Sequence, residues 1–287
     1  MIQGTSSGVG KSILTIGLCR ILYQDGYSVA PFKSQNMSCN AYSLNDDGEM
    51  AKTQAIAAWA CGIEPHADMN PVLLKPVREG TEVIVQGKSI AWMDRDRYRE
   101  YKRYDAWIPV MESYARLSKD YEYIVLEGAG SPVEVNMKDD DIANMNMALK
   151  SGSPVILVAD IDRGGVFADV VGTLALLSDE ERVLVKGIIV NKCRGRFELF
   201  DEVRHTMEQI TQLPVLGMVP YLEIEIEDED NLYDIRTGPK AGSKTEQTNG
   251  ADGSVIRQFD RLAGSLRQHL DLRKIEEIIE TGTGGGI

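Results

Sequence analysis

The chain has 287 residues, enough for one or two domains and for the core of one large α/β sheet. Asp and Glu number 44 against 31 Lys and Arg, a net charge of −13, which argues against a general nucleic-acid or anionic-membrane surface. Four cysteines, Cys19, Cys39, Cys61 and Cys193, stand apart without a C-x-x-C pair, the pattern of reduced thiols in a cytoplasmic protein. No run of about twenty apolar residues offers a membrane span. A strand and a glycine turn occupy the N-terminus, where a signal peptide would otherwise be sought.

The first dozen residues carry the strongest signal. Residues 1–3 read as the end of a buried strand. Gly4-Thr-Ser-Ser-Gly-Val-Gly10 follows as a glycine turn, and Lys11-Ser12 opens a helix whose Ile13, Leu14, Ile16, Leu18, Ile21 and Leu22 recur at helical spacing. Strand, glycine turn, Lys-Ser and helix describe a phosphate-binding loop. Its backbone N–H groups curl around phosphate oxygens at the positive end of the helix. Lys11 reaches the terminal phosphates and the Ser12 hydroxyl suits Mg²⁺. Five residues, Thr5 to Val9, separate Gly4 from Gly10 where the strict motif has four, so this is a variant loop.

A second strand over 27–32 delivers Lys33 to a strand end, where ligands bind in open α/β sheets. A cation there neutralises a transferring phosphate or a substrate carboxylate. The polar segment 33–40 includes Gln35, Asn36 and Asn40, side chains that either face a ligand or satisfy the loop backbone. Asn45-Asp-Asp-Gly-Glu49 is expected to start a helix running to residue 60, with Asp46 and Asp47 as caps. Glu49 in its first turn either complements the helix dipole or offers oxygen to Mg²⁺.

Residues 65–71 read as an irregular turn, and 83–85 with 89–91 as a short hairpin. Residues 95–117 form a charged, tyrosine-rich helical region expected to break near Pro109, its charges on a solvated face. Three further buried strands follow at 123–127, 154–159 and 185–190, ending in Glu127 with Gly128-Ala-Gly-Ser131, in Asp160, and in Asn191-Lys192. A last one spans 215–219. Glu127 is placed like the carboxylate that holds Mg²⁺ in phosphoryl transfer. A helix over 166–177 alternates with these strands, and polar residues cluster at the strand ends. The pattern predicts a doubly wound, mainly parallel three-layer α/β/α sheet domain over 1–222. An acidic and polar linker is expected over 223–255, a helical tail over 256–280, and a flexible glycine-rich end over 281–287.

Five blocks together identify a resemblance: Gly4-Thr-Ser-Ser-Gly-Val-Gly-Lys-Ser12, Pro31-Phe-Lys-Ser-Gln-Asn-Met37, Asp68-Met-Asn-Pro-Val-Leu-Leu-Lys-Pro76, Glu127-Gly-Ala-Gly-Ser-Pro132 and Asp160-Ile-Asp-Arg-Gly-Gly-Val-Phe167. In this order, up to about residue 221, they closely resemble the cobyric acid synthase family, glutamine-dependent amidotransferases of cobalamin biosynthesis. Their N-terminal domain is similar to dethiobiotin synthetase, a P-loop NTPase fold. The resemblance implies ATP-dependent amidation of peripheral carboxylates of adenosylcobyrinic acid a,c-diamide through an acyl phosphate. It assigns the backbone and side chains of Gly4, Thr5, Gly8, Val9, Gly10, Lys11 and Ser12 to ATP. Ser12, Glu127 and Glu49 go to Mg²⁺, the last at the place of a magnesium-binding Asp in dethiobiotin synthetase. Lys33 is assigned to the γ-phosphate and substrate carboxylate, with Gln35, Asn36, Asn40 and Ser131 on the substrate side. Asn191 is placed to read the base, and Asn191-Lys-Cys-Arg194 lacks the aspartate of the guanine-reading pattern, which favours ATP over GTP.

The family carries a glutaminase domain after this one, whereas here about thirty polar residues precede a tail resembling the family's C-terminus. The expectation is a ligase domain without intrinsic glutaminase activity, supplied with ammonia from the free pool or from a separate glutaminase domain or subunit. A corrin ring is large enough that a homodimer would help enclose it. Two alternatives stand beside this: dethiobiotin-type carboxylation of a diamine, and a nucleotide- or corrinoid-binding remnant or switch without ligase turnover. ParA-like switches add a lysine early in the loop, and Thr5-Ser-Ser7 has none.

Overall fold

A computed structural model describes residues 1–45, 47–77, 80–195, 200–222 and 253–282. In chain order the elements are β1 (Ile2–Gly4), α1 (Lys11–Gln24), β2 (Val29–Phe32), β3 (Gln35–Met37), β4 (Ala41–Ser43), β5 (Glu49–Ala51) and α2 (Lys52–Ala60). Next come β6 (Val72–Val77), β7 (Gly80–Val85), β8 (Lys88–Met93), α3 (Arg95–Tyr104), α4 (Trp107–Asp120) and β9 (Tyr123–Leu126). The chain continues through α5 (Met145–Ser151), β10 (Val155–Asp160), α6 (Val166–Leu176), α7 (Asp179–Leu184) and β11 (Val185–Cys193). It closes with α8 (Phe200–Thr211), β12 (Val215–Pro220), α9 (Gly253–His269) and α10 (Leu272–Gly282). Two compact units are built from these: one from Met1–Lys11, Glu127–Glu223 and Gly264–Ile287, the other from Ser12–Leu126 and Ile224–Ala263.

The first unit holds a four-stranded, fully parallel sheet in the order β1-β10-β11-β12. Alternate residues of β10 and β11 point to opposite faces. Val155, Leu157, Ala159, Ile188 and Val190 join Val170, Leu174 and Met207 of the helices in one core cluster. Ile156, Val158 and Ile189, on the other face, are equally buried. Burial on both faces explains why these strands read as continuous apolar runs. The C-terminal segment from Gly264 onward belongs to this unit. Gly217 of β12 makes an antiparallel bridge with Leu270, and the Asp271 N–H donates to Leu216 O at 2.7 Å.

In the second unit β2 and β9 pair in parallel, and β3 pairs in parallel with β6. The meander β6-β7-β8 is antiparallel, as is the hairpin of β4 and β5. The meander contains the expected hairpin at Gln86-Gly87, lengthened in both arms.

Several expectations are corrected. Glu49–Ala51 is a strand, and the helix expected from residue 45 starts at Lys52. Asp47 is left-handed at φ 60° and the Leu44 N–H donates to Gly48 O at 2.7 Å, so the chain folds back here instead of capping a helix. Asp46 lies outside the described residues. Helices α3 and α4 break at Asp105 and Ala106, and Pro109 sits in the first turn of α4, where its missing N–H costs nothing. The expected tail is two helices with a break at Leu270–Asp271. Residues 223–252 of the expected linker and 283–287 of the expected flexible end lie outside the described residues. Residues 253–255 begin α9, and 281–282 finish α10.

Candidate nucleotide site

In the first unit the loop between β1 and α1 is braced from several sides. The Thr5 N–H donates to Val158 O at 2.9 Å, tying the loop's start to β10. Gly8 and Gly10 take left-handed φ values of 72° and 96°, which turn successive backbone amides to one side. Lys11 is buried, and its ammonium donates to Ser6 O at 3.0 Å and Gly130 O at 3.1 Å. A buried ammonium held on backbone carbonyls inside its own glycine loop suits incoming phosphate oxygens. The Thr5 hydroxyl is buried without a hydrogen-bond partner among the described residues, an orphan donor at the same loop. These features fit a bound polyphosphate.

The strand ends of the same unit converge on this loop. Glu127 is buried and bridges to Ile2, and the Gly128 N–H donates to Ile2 O at 2.9 Å. The segment after it is pinned by Asn144, whose Oδ1 accepts from the Ala129 N–H at 3.0 Å and whose Nδ2 donates to Ala129 O at 2.8 Å. Ser131 is buried, and its Oγ accepts from the Val133 N–H at 3.4 Å. Asn191, expected to read a base, donates from Nδ2 to Val9 O at 2.8 Å. It therefore supports the loop directly. Its neighbour Lys192, left-handed at φ 61°, donates to Gly8 O at 2.5 Å and pairs with Asp160 Oδ2 at 3.0 Å. Asn144, Asp160 and Lys192 were not singled out from the sequence. Only the strand-end position of Asp160 and Lys192 hinted at them.

The remaining candidates belong to the second unit. Lys33 is buried, its N–H donating to Met69 O at 2.9 Å and its carbonyl accepting from Asn70 Nδ2 at 3.0 Å. Asn70, also not foreseen, is the hub here, because its Oδ1 accepts from the Ala51 N–H at 3.0 Å as well. Gln35 Oε1 accepts from the Tyr98 hydroxyl at 2.7 Å, and burial holds that phenol well above its usual range. Asn36 is buried with Nδ2 toward Thr53 Oγ1 at 3.4 Å, an interior position rather than an open one. The Asn40 N–H donates to Ser38 Oγ at 3.0 Å. Glu49 Oε2 is paired with Lys75 Nζ at 2.7 Å. Among the described residues no three His, Cys, Asp or Glu side chains group around a possible metal position. No helix among them is long and apolar enough to cross a membrane.

The family described as the CobQ/CobB/MinD/ParA nucleotide binding domain matches residues 1–232. Cobyric acid synthase of Carboxydothermus hydrogenoformans is 51% identical over 234 residues, 81% of this chain and 47% of that protein. The enzyme of the same name from Citrobacter koseri is 52% identical over 233 residues, covering 81% and 46%. The chain thus spans about half the length of the curated relatives it matches. Among solved structures, the MinD cell division protein of Aquifex aeolicus aligns over 100% of this chain and 97% of its own, with TM-score 0.43 and 13% identity.

Proposed function

Because the chain belongs to the CobQ/CobB/MinD/ParA nucleotide-binding family, we propose that it binds Mg-ATP at residues 4–12 and uses it to amidate peripheral carboxylates of a corrinoid, adenosylcobyrinic acid a,c-diamide. The observation that carries the nucleotide half is the buried Lys11 ammonium held on Ser6 O and Gly130 O inside a loop braced by Asn191 and Lys192. The corrinoid half rests on identity near one half to proteins named cobyric acid synthase.

A carboxylate is a poor acyl donor. In the proposed reaction its oxygen attacks the γ-phosphorus, the bond to the β-bridging oxygen breaks, and ADP leaves. Ammonia then attacks the acyl carbon, the carbon–oxygen bond to phosphate breaks, and the amide forms with loss of a proton. The protein's task is to position anions and neutralise charge. Lys11 and the amides of Gly8 and Gly10 take the phosphates, with Gly4, Thr5 and Val9 shaping the loop. The Ser12 hydroxyl and the Glu127 carboxylate would hold Mg²⁺, which would supply charge neutralisation to the phosphates. Lys33 is assigned to the reacting carboxylate.

Ammonia, from solution or from another glutaminase domain or subunit, is the proposed nucleophile. Three of the four thiols of this chain do not suit glutamine hydrolysis. Cys19 and Cys61 are buried, and burial together with the Asp160 charge pushes the Cys193 thiol up to about 12. The test is phosphate release from Mg-ATP with the corrinoid and ammonium each added or omitted. Corrinoid-dependent release with amidated product by mass spectrometry supports the reading; nucleotide binding without it favours a binding remnant. Glutamate release from glutamine by the pure chain would contradict the ammonia assignment.

A further inference from the structure

The turn between β10 and α6 carries a cation with no role in the account so far. Arg163 follows Asp160 by three residues, and its Nε lies 3.7 Å from Asp160 Oδ2. That is beyond hydrogen-bond distance, and the arginine side chain is 66% exposed, so the tether is loose and screened by solvent. The guanidinium nevertheless lies against the phosphate loop, since a Cβ on Gly8 would stand 3.1 Å from Arg163 Nη2. Asp160 holds a second cation differently. Lys192, at 3.0 Å from the same carboxylate oxygen, also donates to Gly8 O and is thereby fixed to the loop backbone. One cation of the pair is structural, and the other can move.

A bound polyphosphate changes the competition for Arg163. Its several anionic oxygens outbid one carboxylate already shared with Lys192, and a planar guanidinium fits two phosphate oxygens at once. We propose that Arg163 is a phosphate-contacting arginine supplied in cis, parked on Asp160 beside Gly8 and drawn onto the transferring phosphate when nucleotide binds. There it neutralises charge that builds as the phosphoryl group leaves, the task an arginine from a second protein performs in other phosphoryl-transfer systems. The inference rests on the nucleotide half of the proposed function and not on which carboxylate is the acceptor.

The test compares binding of Mg-ADP alone and Mg-ADP with aluminium fluoride, a mimic of the transferring phosphoryl group, in the parent, Arg163→Ala and Arg163→Lys. The parent should bind the fluoride complex more tightly. Arg163→Ala should keep Mg-ADP affinity while losing on the order of 100-fold in affinity for the fluoride complex, with Arg163→Lys between them. Added guanidinium ion should restore part of the loss in Arg163→Ala, which a merely structural role for the side chain would not allow. Equal affinity of parent and Arg163→Ala for the fluoride complex overturns the proposal. So does an equal loss of both affinities, or a parent that shows no tightening with fluoride. A parent unable to bind Mg-ADP overturns both this and the nucleotide reading, whereas tight fluoride binding without corrinoid-dependent turnover removes only the corrinoid reading.

Discussion

Gly10 and Asn191 occupy adjoining space: Asn191 Nδ2 donates to Val9 O at 2.8 Å, and a Cβ on Gly10 would collide with that same nitrogen. The residue before Lys11 is therefore glycine for two reasons, its left-handed φ of 96° and the asparagine packed on it. Gly10→Ala should cost about 2–4 kcal/mol, the left-handed penalty plus overpacking, and lower Mg-ADP affinity at least tenfold. Gly26→Ala is the control, with φ 92° and nothing within 4 Å. It should cost only about 1–2 kcal/mol and leave nucleotide binding alone. Denaturant unfolding and ADP titration read both, and equal behaviour of the two variants would contradict the packing argument.

The carboxylate of Asp68 is buried and accepts from Ser113 Oγ at 2.6 Å and from Arg116 Nε at 2.8 Å. Burial alone would raise its pKa, but the Arg116 and Ser113 hydrogen bonds and the Arg116 charge outweigh it, and the group titrates below its ordinary range. A depressed carboxylate contributes stability that is fully present above its unfolded pKa and lost as pH falls through the folded one. The parent should therefore lose stability on acidification below about pH 4 more steeply than Asp68→Asn. Arg116→Ala, removing a half-exposed partner from a buried carboxylate, should cost about 1–3 kcal/mol at neutral pH. Parallel pH–stability curves for parent and Asp68→Asn would refute this.

The tail's docking depends on another close approach. A Cβ on Gly217 of β12 would collide with His269 O and the Leu270 side chain, where the chain bridges back to the sheet. Gly217→Ala should release residues 270–282, seen as faster amide exchange there, while the amides of β10 keep their protection. Unchanged exchange in α10 would show that the bridge is not what holds the tail.

Thiol chemistry offers a check on burial. Cys39 is exposed, whereas Cys19, Cys61 and Cys193 are buried. In the native protein near pH 8 a maleimide should modify Cys39 first, with Cys193 slowest because its thiolate is disfavoured by burial and by Asp160. Labelling of Cys193 at the rate of Cys39 would mean that the end of β11 opens readily.

What the sequence by itself determined was the set of parts governed by local rules. A glycine turn ending in Lys11-Ser12 needs a strand before it and a helix after it. Apolar runs such as Val155 to Ala159 become central parallel strands because both of their faces are covered. The antiparallel elements were less legible. Glu49–Ala51 carries no alternation strong enough to outweigh a turn sequence that also resembles a helix cap, and only its pairing with Ala41–Ser43 decides it as strand. The loop's bracing contacts were barely legible, beyond the strand-end positions of Asn191, Lys192 and Asp160. Lys192 meets Gly8 across 184 positions and Asn144 meets Ala129 and Ser131 across 15 and 13, and no local pattern encodes which distant carbonyl an ammonium or amide will find. The tail shows the same limit: its apolar spacing foretold helix, but that it docks on β12 was decided by a missing side chain at Gly217 and the backbone that fits there.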